Sequence, residues 1–144
     1  MSPHCSRETF ARAEARASLE LELELPRNVE APAIARAAVK GICSDLDLCL
    51  SKQHTLALLV SELVSNAVLH SSGPADAPVL LAATVGEDIV HIAVTDAGRG
   101  FTPRPHDQRT GGGYGLYLVD RAASRWGSDQ VGGTRVWFEL SRTA

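Results

Sequence analysis

Apolar and polar residues alternate without a break in LELELEL, Leu19 to Leu25, which on a pleated strand sets four leucines on one face and three glutamates on the other. The pattern predicts a strand with one wet face, closed by Pro26. The period then lengthens. From Ala33 to about Leu48, Ile34, Ala38, Ile42 and Leu46 recur at helical spacing, and a first helix is expected. Ser51 is placed to cap a second and clearer one, in which Leu56, Leu59, Val60, Leu63, Val64 and Ala67 return every three or four residues. The SSGPADAP stretch at 71–78 ends it in a loop.

Alternation returns in VLLAATV (79–85) and IVHIAVTD (89–96), joined by Gly86, Glu87 and Asp88 as an antiparallel hairpin requires. Val90, Ile92, Val94 and Asp96 share a face, so a carboxylate ends an apolar row. A loop runs from Gly98 to Gly113. Leu116, Val119, Ala123 and Trp126 then predict a third helix, and TRVWFEL after Gly132 and Gly133 predicts a last strand, with Val136, Phe138 and Leu140 on one side. Residues 1–17 carry little periodicity and are expected to be a flexible segment, leaving 18–142 as one domain.

Composition adds exclusions. A chain of 144 residues with 44% hydrophobic content suits one core, and a net charge of -3 gives no pull toward nucleic acid or an anionic membrane. Cys5, Cys43 and Cys49 are odd in number and lack CxxC spacing, and no apolar run near the start resembles a signal peptide. A cytoplasmic protein with reduced thiols and no membrane span is expected.

Glu62 and Asn66, four apart on the second helix, lie one above the other at the flank of its apolar stripe. A carboxylate and a carboxamide are hard oxygen donors suited to Mg²⁺ and to a hydroxyl beside a phosphate; a solvated helix edge is the plain alternative. Asp96 faces the core and needs a partner, which either the amides of the DAGRG turn or the exocyclic amine of a purine can supply. Gly98 and Gly100 permit close approach of a flat ligand, and Gly111, Gly112, Gly113 and Gly115 lead into a helix start that attracts phosphate. These glycines lack the order of a P-loop or of GxGxxG. No zinc-ligand spacing and no GxSxG elbow occur, and His70 reads as a structural residue near a helix end.

Taken together, ExxxN in SELVSNAVLH, then DAGRGF, then GGGYGLYLV resemble in type and order the GHKL (Bergerat-fold) ATPases and kinases over about Leu19 to Leu140. The likeness is greatest to anti-sigma factor serine kinases and their small actinobacterial relatives. It implies an α+β fold, a two-layer sandwich whose mixed, mostly antiparallel sheet is covered on one face by about three helices. By the same resemblance Glu62 is the general base, Asn66 the Mg²⁺ ligand and Asp96 the adenine-reading aspartate. Gly98 and Gly100 shape the adenine pocket; Gly111 lies in the glycine-rich approach, Gly113, Gly115 and Leu116 form the box beside the triphosphate, and Thr134 supports adenine recognition. ATP and Mg²⁺ are the implied cofactors, and a sigma factor and a STAS-type anti-sigma factor antagonist the implied partners of a homodimer. Tyr114 stands where many relatives have arginine, the lid from Thr102 to Thr110 is short, and no phosphoacceptor histidine segment is seen. A non-catalytic, ATP-responsive module that sequesters a regulator is therefore kept beside the kinase.

Overall fold

The computed structural model describes residues 19–44, 46–70, 76–96, 113–130 and 133–143. Five strands and three helices follow in the order β1 (Leu19–Leu25), α1 (Ala31–Cys43), α2 (Leu50–His70), β2 (Val79–Val85), β3 (Ile89–Asp96), α3 (Gly113–Ala122), β4 (Arg125–Gln130) and β5 (Thr134–Ser141). The sheet order is β1-β2-β3-β5-β4, and every ladder is antiparallel. The expected α+β sandwich is thus present, with no parallel pair among the described residues.

Residues opposite one another in an antiparallel ladder share a face, so the registers lay side chains in rows. One row runs Leu23, Leu81, Val94, Val136; the next Leu21, Ala83, Ile92, Phe138, Trp126; a third Val85, Val90, Leu140. These rows form the sheet's half of the core, and α2 supplies the other half through Leu56, Leu59, Val60, Leu63, Val64 and Ala67, the stripe read from its sequence. Packing of α1 and α3 against α2 completes the layer.

Three expectations are corrected. The first helix spans Ala31–Cys43 rather than 33–48, with a proline in its first turn and a stop at Ser44, whose hydroxyl donates to the Gly41 carbonyl at 2.8 Å. Its buried stripe is Ala31, Ala35, Val39 and Cys43, while Ile34 is exposed and Ile42 and Leu46 are only half-buried. Both rows have four-residue spacing, and the smaller side chains take the inner one. Ser51 does not cap α2, which begins a residue earlier; the Gln53 amide donates to the Cys49 carbonyl at 3.0 Å, making Cys49 the cap.

The third correction concerns Trp126, assigned by spacing to a helix. The helix ends at Ala122, and Arg125–Gln130 is an edge strand. Gly, Ser and Asp in RWGSDQ are poor strand formers, so tertiary pairing decides. Arg135 forks onto Asp129 across the ladder at 2.8 and 3.0 Å, and Trp137 lies so close over Gly127 that a Cβ there would meet Cζ2 at 2.9 Å.

On the opposite face of the sheet, which carries no helix among the described residues, Glu20, Glu22 and Glu24 are exposed as expected. Further across, Glu139 is buried there at 6% exposure. It accepts from His91 Nδ1 at 3.1 Å and from Arg125 Nη1 at 3.4 Å, while Trp137 stacks on the His91 ring with centroids 5.4 Å apart. The His91 hydrogen bond holds the Glu139 carboxyl below its ordinary pKa, aided by the Arg125 charge and opposed by burial.

Candidate nucleotide site

α2 carries Glu62 and Asn66 one turn apart, about 6 Å along its axis. Glu62 is half-buried, whereas Asn66 is 6% exposed, and its Nδ2 meets no hydrogen-bond partner among the described residues. Leaving such a donor unsatisfied costs about 1–3 kcal/mol. Phosphate oxygens would satisfy Nδ2 directly, and the Oδ1 end of the same amide is the kind of hard donor that Mg²⁺ takes. The residues present therefore fit a magnesium nucleotide. Among the described residues no cluster of three or more His, Cys, Asp or Glu is arranged to hold a metal without one.

Asp96 closes β3 and is 5% exposed. It lies on the helix-covered face, as the alternation requires, with Val90, Ile92 and Val94 buried behind it. Its register partner is Thr134, the first residue of β5, at 1% exposure. Thr134 in turn pairs with Gln130 of β4, whose Nε2 donates to the Thr134 hydroxyl at 3.2 Å. A carboxylate, a hydroxyl and a carboxamide thus line one row at the same end of three strands. The hydroxyl's neighbour Gln130 went unread in the sequence because its strand did; only the position of Thr134 after the glycine pair pointed to this end of the sheet.

Gly113 opens α3, and Gly115 and Leu116 fall in its first turn, where amides lack intrahelical acceptors. α3 packs beside α2, so its start belongs to the same layer as Glu62 and Asn66. Gly98, Gly100 and Gly111 lie outside the described residues, as does the 102–110 lid. Cys43 is a buried free thiol whose pKa burial pushes up, away from the reactive thiolate.

Residues 51–144 match the family of histidine kinase-, DNA gyrase B- and HSP90-like ATPases, and the chain belongs to that family. ATP is accordingly its nucleotide. It is 29% identical over 129 residues to a protein named anti-sigma F factor from Clostridium beijerinckii, covering 81% of this chain and 90% of the relative. It is 30% identical over 115 residues to the serine-protein kinase RsbW of Bacillus pumilus, covering 69% and 71%. The structure of the RsbU and RsbW domains of Rv1364c from Mycobacterium tuberculosis superposes with a TM-score of 0.68 at 20% identity. That likeness covers 88% of this chain and 34% of the other, and at this identity it speaks for the fold alone. No helix among the described residues is long and apolar enough to cross a membrane.

Proposed function

We propose that this chain is a cytoplasmic ATP-dependent serine/threonine protein kinase and anti-sigma factor, acting on an anti-sigma factor antagonist of the STAS type and holding a sigma factor. The observation that carries the reading is Glu62 one helical turn from a buried Asn66 with unfilled hydrogen-bonding capacity. Asp96 would accept from the purine amine, with Thr134 beside it, and the first turn of α3 would present amides to the phosphates. Gly98 and Gly100 would border the purine and Gly111 the phosphates. Asn66 would hold Mg²⁺, which when bound offsets negative charge on the phosphates.

Glu62 would then accept the proton of the acceptor serine as its oxygen attacks the γ-phosphorus of ATP and the bond to the β–γ bridging oxygen breaks, releasing ADP. A general base is worth about 10²–10⁴-fold, so Glu62→Gln should lower phosphoryl transfer to the antagonist by at least ~100-fold while ATP affinity stays near wild type. Full transfer by Glu62→Gln, followed with labelled ATP, would overturn the assignment. ATP binding by the wild type with no transfer to any antagonist would leave the non-catalytic, ATP-responsive module, the reading that Tyr114 in the glycine box favours.

A homodimer belongs to the same proposal, supported by the position of β1 at the sheet edge, where its outer backbone groups have no strand partner among the described residues. Sedimentation equilibrium should give twice the 15.3 kDa chain mass; a monomer at high concentration would refute it.

A further inference from the structure

We infer that Leu58 and Leu69 form an apolar ridge on α2 that seats the protein surface carrying the acceptor serine over Glu62. The inference rests on the kinase reading of Glu62. Of the leucines of α2, Leu56, Leu59 and Leu63 are buried in the core; Leu50, its first residue, is 65% exposed and lies about 80° around the axis from Leu58, while Leu58 at 45% and Leu69 at 67% form an exposed pair on one side. Eleven residues separate the exposed pair, three helical turns within about 20°, so both project from one face. Glu62 stands on that face, four residues after Leu58 and seven before Leu69, with half-buried Ser65 between.

Exposed leucines are ordinary when scattered. These bracket the proposed base, about 6 Å along the axis on one side and about 10 Å on the other. Any surface that brings a hydroxyl to Glu62 must lie along this stretch of helix, continuous with the transfer site. The ridge spans about 16 Å, far more than a free amino acid or other small acceptor could cover. Its occupant is therefore a protein surface with apolar side chains on both sides of the serine. Burying two part-exposed leucines contributes through apolar area, which raises affinity for the protein substrate and leaves the nucleotide untouched.

The full-length double variant Leu58→Ser with Leu69→Ser, assayed with Mg·ATP against a STAS-type antagonist that the wild type phosphorylates, should show KM raised about tenfold or more. The expected kcat lies within about twofold, and ATP affinity by calorimetry stays at the wild-type value. Replacing both leucines by methionine should restore KM. An unchanged KM, or an equal rise with the methionine pair, overturns the ridge. Should the wild type bind ATP yet phosphorylate no antagonist, the kinase reading fails separately. Direct binding of wild type and double variant to the same antagonists then decides the ridge, and equal affinity or no affinity overturns it.

Discussion

Two carboxylates are buried to the same depth on opposite faces of one sheet, Asp96 among the helix-facing side chains of β3 and Glu139 on the open side of β5. Burial alone would mark both as sites. Their surroundings separate them. Glu139 accepts hydrogen bonds from His91 and from the Arg125 cation, and the stack of Trp137 on His91 fixes that arrangement. Asp96 ends an otherwise apolar row, with the Thr134 hydroxyl opposite it in the ladder. Glu139 is thus accounted for within the fold, whereas Asp96 is the carboxylate that the proposed function assigns to the purine.

The sharpest way to break this contrast is to neutralise each group. Asp96→Asn should weaken ATP binding by about 10–100-fold, the worth of one hydrogen bond to a charged acceptor. Calorimetric affinity equal to wild type would remove Asp96 from the site. Glu139→Gln should leave ATP affinity unaltered and cost about 1–2 kcal/mol in denaturant unfolding, since His91 and Arg125 lose a charged partner.

That second effect depends on pH in a defined direction. The folded-state pKa of Glu139 is depressed, so its contribution is complete above the pKa of an unfolded glutamate and is lost as pH falls through the folded value. The stability gap between wild type and Glu139→Gln should therefore be widest near neutrality and shrink on acidification. A gap that grows toward low pH would contradict the depressed pKa. The smallest effect is expected at Gly127→Ala, where the new Cβ meets the Trp137 ring at 2.9 Å and the ring must shift against His91 and Arg125. A loss of about 1 kcal/mol with unchanged ATP affinity is the expected outcome, measured by chemical unfolding and calorimetry.

How far the chain could be read without its structure follows from the same two faces. The covered face is written in strict alternation and helical spacing, so β1, α2, β2, β3 and β5 were legible, and with them Glu62, Asn66 and Asp96 as positions of interest. The inner stripe of α1 was missed because alanine and isoleucine rows compete at equal spacing, and hydrophobicity favours the larger residue while packing space favours the smaller. β4 was illegible because its reasons for being a strand lie elsewhere: Asp129 answers Arg135, and Gly127 makes room for Trp137. The His91, Glu139 and Arg125 cluster joins residues up to 48 apart in sequence, and no local pattern signals it. The nucleotide family itself was visible only from the order of three short motifs, each ambiguous alone.

The row Asp96, Thr134, Gln130 carries one more consequence. It reaches from the middle of the sheet to its last strand, so on the proposed function a purine held at Asp96 would act as a clasp on β4, a segment of weak intrinsic strand-forming tendency. Binding free energy invested at the centre would then return at the rim as resistance to local opening, with slower exchange of the β4 amide hydrogens as its reporter.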